Sequence, residues 1–298
     1  MNGQKTKSLN RLNWFDYLNY FLMFLIVVIT IYPLYYCAIV SISDGAAVVR
    51  GDVIWRPIGF DTKAYDVVFG NDQILGAYAN TIYYTALGTV INIVMTAFCA
   101  YPLSRPKLKG RKTLNFLCML TMFISGGMIP MYLQIKSLNL LDTTWAIVLP
   151  GAISTYNMII MRTFFASIPE ELHEAAEIDG ASQFQVFRRI ILPLSQTIMA
   201  TLVLFYAVGH WNSFMSALLY LEDQNRMPLQ IIIRKMVIDS DLASMTTANS
   251  SSASSETLLS ENKIKYAIVM ISVLPMVVIY PFLQRYFVKG VMIGAVKG

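Results

Sequence analysis

Glu174-Ala175-Ala176-Glu177-Ile178-Asp179-Gly180-Ala181-Ser182, running on to Ile190-Ile191-Leu192-Pro193, lies between two long apolar segments. Just before it, Ser167 and Glu170 predict a helix start, with Ser167 as N-cap and Glu170 returning to the N-cap amide. The helix is predicted to run to Asp179 and to end at Gly180, since glycine tolerates a left-handed cap. Ser182 and Gln185 form a second capping-box pattern. We therefore expect a short helix, a glycine turn and a second short helix at a membrane boundary.

At these residues the chain resembles the permease subunits of ATP-binding-cassette (ABC) importers. Glu174-Ala175-Ala176, Gly180, Ile190 and Leu192-Pro193 are similar to the EAA loop of that family. One position departs from the pattern, because the family often has a second proline four residues after the first and this chain has Thr197 there. The alternative interpretation is a surface helical hairpin that has no partner.

The resemblance implies that this hairpin is cytoplasmic and sits in a cleft of an ATPase subunit. Small side chains allow close approach, Gly180 permits a tight corner, and Glu174 offers a charge-assisted hydrogen bond. The residues expected to couple the chain to the ATPase are Glu174, Ala175, Ala176, Asp179, Gly180, Ala181, Ile190, Leu192 and Pro193.

The composition is that of a polytopic membrane protein. Of 298 residues, 56% are hydrophobic and only 14% charged, and the mean hydropathy is +0.53, whereas soluble domains carry about 25% charged residues. Cys37, Cys99 and Cys118 lie in apolar runs without metal-type spacing, which is typical of small buried hydrophobes. We therefore predict no metal site and no disulfide framework.

Six apolar runs are long enough to cross a hydrocarbon core of about 30 Å. We predict an all-α membrane protein with six transmembrane helices and a cytoplasmic coupling hairpin between the fourth and fifth. The first run is too long for a typical signal peptide and lacks a clear cleavage site, so we expect it to stay uncleaved. The predicted spans are 18–43, 73–104, 114–135, 143–161 (interrupted by Pro150-Gly151), 190–221 and 266–284.

The predicted organisation has three parts. Residues 1–18 are a cytoplasmic N-terminal segment, 19–288 the transmembrane permease domain and 289–298 a cytoplasmic tail. Within the domain, the coupling hairpin covers 167–193 and an external loop covers 222–265. In that loop, residues 226–234 are mixed enough in character to be ordered, whereas 243–255 are almost all Ser, Thr and Ala and predict flexibility. The loop is either a contact for an extracellular binding protein or a connector.

Charge predicts the orientation. Six spans bring the segments 1–18, 105–113, 162–189 and 285–298 to one side, and these hold 14 of the 23 basic residues but only 6 of the 18 acidic ones. Basic residues are enriched in cytoplasmic loops, which places both termini in the cytoplasm of a bacterial cell. The basic run 105–112 is accordingly interpreted as a cytoplasmic loop rather than a nucleic-acid patch.

Two further stretches resemble a carbohydrate-type subgroup of these permeases. Residues 280–290, followed by Gly294 and Gly298, carry the resemblance to the subgroup. Met227-Pro228-Leu229-Gln230 and residues 291–298 are similar to permeases for complex or acidic oligosaccharides. The resemblance implies a lipid bilayer setting and an oligosaccharide delivered by an extracellular solute-binding protein. It also implies a second homologous permease and two ATPase subunits that bind ATP and Mg.

The chain shows no chemistry of its own. It has no Walker-type Gly-x-x-x-x-Gly-Lys-[Ser/Thr] run and no catalytic constellation, so we predict no cofactor in this chain and no enzymatic activity. In the fifth run, Tyr206 and Trp211 could stack on sugar rings while His210 and Asn212 bond hydroxyls, which makes these four residues a candidate substrate pathway. The alternative is interhelical hydrogen bonding.

Two other classes of protein compete with the importer interpretation. An ion-coupled secondary transporter is disfavoured because coupling ions usually need a carboxylate inside the spans, where acidic residues are nearly absent. A membrane enzyme ranks third, for want of a catalytic set.

The predicted topology is tested by site-directed labelling. Single cysteines at Lys109 and Ser252, in a background without Cys37, Cys99 and Cys118, should react from opposite sides of the membrane. Labelling of both positions from outside intact cells would contradict the six-span topology.

Overall fold

The structure is a computed structural model that describes residues 14–247 and 263–281, and these residues are mostly helical. No β-strand occurs within these two ranges, where strand-like pairing is limited to a bridge between Ser43 and Phe60. A π-helical turn covers Phe187–Ile191 and a 3₁₀ turn covers Gln224–Arg226. The α-helices are α1 (Trp14–Ser41), α2 (Gly45–Val49), α3 (Lys63–Phe69), α4 (Asp72–Ser104), α5 (Arg111–Leu120), α6 (Met128–Ser137), α7 (Thr144–Val148), α8 (Thr155–Ala166), α9 (Glu170–Ile178), α10 (Gln183–Val186), α11 (Leu192–Leu194), α12 (Gln196–Trp211), α13 (Met215–Tyr220), α14 (Leu229–Thr247) and α15 (Lys263–Pro281).

Three helices in the described residues, α1, α4 and α15, are each long and apolar enough to cross a membrane. They coincide with the predicted first, second and sixth spans. Most apolar side chains of α1 are exposed, as expected of a helix that faces lipid rather than water. An all-α, membrane-embedded fold is therefore confirmed, although Trp14 to Leu18, assigned to the N-terminal segment, already belong to α1.

The predicted third and fourth spans are each divided into two shorter helices. Residues 114–135 fall into α5 and α6, because the chain turns at Gly127, whose φ of +86° only glycine adopts readily. Residues 143–161 fall into α7 and α8 on either side of Pro150-Gly151, where the sequence predicted an interruption. Six continuous spans are thus not seen in the described residues, and the six-span topology stays a prediction.

The predicted fifth span is also discontinuous. The amide of Leu192 donates to the carbonyl of Phe187, five residues back, which makes a π-helical turn. Pro193 has no N–H for the carbonyl four residues before it, and the wider turn accommodates that loss. Segment 183–194 and α12 together could cross a membrane, but they meet at an angle of 80°.

The first part of the predicted external loop is helical. Order at 226–234 is confirmed, since α14 begins at Leu229. Residues 243–247 form the end of α14, and the flexibility predicted for 243–255 stays a prediction. Residues 248–255 lie outside the described residues.

The described residues divide into two compact units. The first comprises 14–70, 239–247 and 263–271, and the second 71–238 and 272–281. In the first unit, Lys263 is only 4% exposed, and its ammonium lies 2.8 Å from a carboxylate oxygen of Asp61. This hydrogen bond is the main reason that the pKa of Asp61 lies below its usual value.

In the second unit, α4, α8 and α12 pack around one apolar core that also includes residues of the hairpin. The buried side chains that share this core include Ala97, Ala100, Tyr101, Met158, Met161, Phe165, Ala176, Val186, Phe187, Ile191, Leu202 and Tyr206. The hairpin is therefore part of the packed unit rather than a loose loop.

Glycine permits a close contact between α4 and a side chain of α12. A Cβ at Gly88 would lie 2.5 Å from Nε2 of His210, well inside van der Waals contact. That imidazole nitrogen also lies 2.6 Å from Oδ1 of Asn92. The imidazole ring of His210 is thus packed against the backbone of Gly88 and hydrogen-bonded to Asn92.

Gly88→Ala should destabilise the protein, because the imidazole of His210 must move and its hydrogen bond to Asn92 must stretch. Overpacking of this kind costs about 1–3 kcal/mol. Gly76→Ala in the same helix is the matched control, since its Cβ would meet nothing within 4 Å and alanine favours a helix by up to about 1 kcal/mol. Thermal melting of the purified protein checks this, and equal melting temperatures for the two variants would contradict it.

Candidate functional site: the hairpin between α8 and α12

The hairpin begins two residues later than the capping pattern predicted. Pro169, with φ −54° and ψ 134°, is the N-cap of α9 and makes no side-chain cap. The hydroxyl of Ser167 instead donates to the carbonyl of Phe164 at 2.7 Å. The predicted Ser167–Glu170 capping box is therefore wrong, because the extended backbone at Pro169 starts the helix at Glu170, whose carboxylate binds an arginine instead.

The corner at Gly180 has the predicted left-handed conformation. Gly180 has φ +80°, its amide donates to the carbonyl of Glu177, and the amide of Ala181 donates to the carbonyl of Ala176. These two bonds form a Schellman motif, which satisfies the last carbonyls of a helix and reverses the chain. The predicted end of the first short helix is thus confirmed.

The second short helix begins with the predicted capping box. The hydroxyl of Ser182 accepts from the amide of Gln185, and the side chain of Gln185 accepts from the amide of Ser182 at 2.8 Å. Beyond α10, the π-helical turn buries Ile191 completely. This segment leads directly into α12, so a displacement of the hairpin would be passed to the membrane part of the chain.

Arg105 fastens the hairpin to the end of α4. Its guanidinium donates two parallel hydrogen bonds to Glu170, at 3.0 and 2.9 Å, while the residue is only 7% exposed. A two-point pair between guanidinium and carboxylate fixes orientation as well as distance. Glu170 is the first residue of α9, so the first turn of that helix is held against the C-terminal end of α4.

Glu177 extends this attachment to the second helix. Its carboxylate accepts from Gln183 at 2.7 Å and lies 3.4 Å from the ammonium of Lys107. The Gln183 hydrogen bond, followed by Lys107, holds the pKa of Glu177 below its usual value. Gln183 in turn accepts from the hydroxyl of Tyr101 at 3.2 Å, so α4, α9 and α10 share one polar network.

His173 is buried beneath this network. It is 2% exposed and stacks on Tyr101, with ring centroids 6.1 Å apart. Burial lowers the pKa of His173, with Arg105 adding to the effect. A pKa lower in the folded than in the unfolded state means that acid destabilises: protonation increasingly favours the unfolded state as pH falls below the usual histidine pKa of about 6.5.

The nine predicted coupling residues lie on two different faces. Ala176 is buried and Ala181, Ile190 and Leu192 pack partly buried against the core, which assigns them to holding the hairpin in place. The exposed members are Glu174, Ala175, Asp179, Gly180 and Pro193. Glu174 has no hydrogen-bond or ion-pair partner among residues 14–247 and 263–281, so its carboxylate is available to another molecule.

Sequence reasoning missed two residues. Ile178 at the corner is 86% exposed, an unusual position for a large apolar side chain in a charged helix. Arg105 was grouped with a basic loop, although it is the first charge after a long uncharged run and could have been singled out for that reason. The surface of Glu174, Ala175, Ile178, Asp179 and Gly180 is called the corner surface below.

The four candidate pathway residues mostly bond to neighbouring segments. Tyr206 shares a hydrogen bond with Thr96 at 2.7 Å, His210 bonds Asn92, and Trp211 donates to the carbonyl of Ser272 at 3.0 Å. Asn212 donates to its own helix. This is the geometry expected of the interhelical alternative, and the pathway role stays a prediction.

A cavity of about 650 Å³ adjoins Trp211, Ile93 and Pro275. Its lining is apolar apart from Tyr78, Thr85 and Thr89. The buried hydroxyls of the two threonines have no hydrogen-bond partner within the described chain. A sugar needs a hydrogen-bond partner for most of its hydroxyls, so this cavity does not suit one. No group of three potential metal ligands was found in the part of the chain that the structure describes.

Comparison with known proteins gives consistent matches. The family model described as "Binding-protein-dependent transport system inner membrane component" matches residues 73–293. Protein LplC of Bacillus subtilis (strain 168) is 43% identical over 266 residues, 89% of each chain. The polygalacturonan/rhamnogalacturonan transport system permease protein YtcP of the same organism is 40% identical over 89% of this chain and 92% of its own. A chain in the crystal structure of a bacterial ABC transporter involved in the import of the acidic polysaccharide alginate superimposes with a TM-score of 0.82, at 33% identity and coverage of 92% and 96%.

Arg105→Gln should loosen the hairpin, because Glu170 loses both hydrogen bonds and the buried site loses its cation. Since Glu170 is about a third exposed, we expect a loss of about 1–2 kcal/mol. Hydrogen exchange of residues 170–186 should rise in Arg105→Gln and also in Arg105→Lys, which cannot form the two-point pair.

Lys107→Gln is the matched control for that experiment. This change removes a cation from the same network, but the ion pair between Lys107 and Glu177 is exposed to solvent. Such exposed ion pairs contribute little to the free energy of unfolding. Equal protection of the hairpin in Arg105→Gln and Lys107→Gln would show that Arg105 does not hold it.

Proposed function

Since the chain belongs to the family of binding-protein-dependent transport system inner membrane components, we propose that it is the permease through which an ABC importer moves an acidic or complex oligosaccharide into the cell. It is a non-enzymatic membrane subunit of a sugar importer, and the ATPase is a separate subunit. Membership in this family excludes the ion-coupled secondary transporter and the membrane enzyme.

The observation that supports this mechanism is that Arg105 holds the hairpin against α4 while the corner surface stays exposed. The carboxylate of Glu174 has no partner in the described part of the chain, and the side chain of Ile178 is exposed. Both suit a partner protein that offers a hydrogen-bond donor and an apolar recess. A cavity of about 410 Å³, lined by Phe98, Phe184 and Phe187 among others, lies beside the hairpin and would accept an apolar side chain of that partner. We infer that the partner is an ATPase subunit.

Movement of the ATPase would reach the spans by two routes. One route is the Arg105–Glu170 pair, which would pull on the end of α4. The other is the buried Ile191 and the π-helical turn, which continue into α12. Because both helices belong to one packed core, they would move together, and ATP-driven closure would change access to the pathway.

The proposed substrate is acidic. Two similar proteins carry names that include polygalacturonan/rhamnogalacturonan and the acidic polysaccharide alginate. Uptake of charged and neutral oligosaccharides of equal length, measured in the same cells, tests this. Preference for the neutral series would contradict an acidic substrate while leaving the permease function intact.

The proposed assembly has four further subunits. A second homologous permease would complete the membrane channel, and two ATPase subunits would bind ATP and Mg. An extracellular binding protein would deliver the sugar, and the family description supports this last partner. Within this assembly we propose six crossings, both termini in the cytoplasm, and the hairpin on the cytoplasmic side. The loop 222–265 would then face the binding protein.

Changes on the corner surface should separate membrane insertion from coupling. Glu174→Lys and Ile178→Ser alter exposed side chains, so the permease should reach the membrane, yet retain little ATPase in a pull-down and lose uptake. Gly180→Val should do the same, because a β-branched residue at positive φ costs about 1–3 kcal/mol of backbone strain.

Gly110→Val is the matched control for Gly180→Val. Gly110 also has positive φ, +75°, with open space around it, but it lies in the loop before α5. It should therefore keep its ATPase. Normal ATPase retention and uptake in all three corner-surface variants would refute the coupling role of residues 167–193.

A further inference from the structure

A third cavity, which is basic, is also lined by residues of the second unit. Its volume is about 370 Å³, and it is formed by the end of α4, one face of α5 and the end of α8. Three of its lining residues are cations, Arg111, Lys112 and Arg162, and none of the described lining residues is acidic. Like charges gathered without a counter-ion repel one another, so the cavity favours an anion.

None of these three cations has an anionic partner among the described residues. Arg111 donates to the carbonyl of Ser104 at 3.2 Å, which orients it beside the cavity. Arg162 is partly buried and Lys112 is exposed, and neither has a hydrogen-bond or ion-pair partner among residues 14–247 and 263–281. A half-buried guanidinium normally pairs with an anion, because desolvation of the charge is otherwise uncompensated. The missing partner is therefore expected from another molecule.

The position of the cavity indicates which anion this is. Ser104 ends one uncharged run and Arg162 is the first charge after another, so both lie where the hydrocarbon core gives way to headgroups. The apolar part of the lining includes Leu103, Phe116 and Met119. Phe116 is 60% exposed and lies on the same helix as Arg111 and Lys112. Cations at one end and exposed apolar surface at the other fit a phosphate that carries acyl chains.

We propose that this cavity binds the phosphate headgroup of an anionic phospholipid, with Arg111, Lys112 and Arg162 around the phosphate. Basic pockets between membrane helices are a recurrent form of headgroup site. The buried Oδ1 of Asn115, which has no partner in the described chain, would accept from a headgroup hydroxyl such as that of phosphatidylglycerol. The site is distinct from the corner surface and does not depend on what that surface binds.

The test is a titration of the delipidated full-length protein, with its copurifying subunits, by native mass spectrometry. Phosphatidylglycerol should bind and phosphatidylcholine should not. Lys112→Gln and Arg162→Gln should each weaken phosphatidylglycerol binding about fivefold, and the double variant about 25-fold. Lys109→Gln is the matched control, since this exposed lysine lies in the same basic loop but does not line the cavity, and its affinity should be unchanged.

Three results would overturn the proposal. Equal weakening in Lys109→Gln and Lys112→Gln would show a diffuse surface effect instead of a site. Inorganic phosphate that binds with the same dependence on Lys112 while phosphatidylglycerol does not would identify a soluble anion. Unchanged phosphatidylglycerol binding in Lys112→Gln and in the double variant would show that the cavity is not the lipid site. If Arg162→Gln does not fold, the affinity of Lys112→Gln alone decides between these outcomes.

Discussion

The two-point pair between Arg105 and Glu170 is the interaction on which the position of the hairpin depends. A guanidinium at the end of a long apolar helix cannot enter the hydrocarbon core and is too buried here to be hydrated freely. Its desolvation is offset only by a partner of matching geometry, and Glu170 provides one. Because such a pair fixes direction, α9 leaves α8 in one orientation, and the turn at Gly180 then determines where α10 lies.

The hairpin was largely predictable because its determinants are local. Gly180 at a helix end and Ser182 with Gln185 three residues on are patterns in which neighbouring side chains satisfy neighbouring backbone groups. The pair that orients the hairpin joins residues 65 positions apart, and no local pattern announces it. Ser167 shows the limit of local reasoning, since it had the right spacing but the proline two residues later became the N-cap instead.

The sequence was enough to predict that the apolar segments are membrane helices, but not where those helices are interrupted. Hydropathy records composition, so it identified α1, α4 and α15, each of which contains a long stretch of high mean hydropathy. It could not detect where an apolar run changes direction, because Gly127 and Pro193 alter backbone geometry without changing hydropathy. Likewise, the residue types of Tyr206 and His210 indicated a pathway, whereas in the structure each shares a hydrogen bond with a residue distant in sequence, Thr96 and Asn92 respectively.

The contact between Gly88 and His210 has an evolutionary consequence. A lineage that acquires a side chain at position 88 must first shorten the residue at 210, yet removal of the imidazole leaves the amide oxygen of Asn92 without its 2.6 Å contact. Each single step therefore passes through a less stable form, and only a combined change at 88, 92 and 210 restores the packing. These three positions are expected to drift together or not at all, and chimeras that exchange α4 or α12 between homologues will assemble well only when both helices come from the same parent.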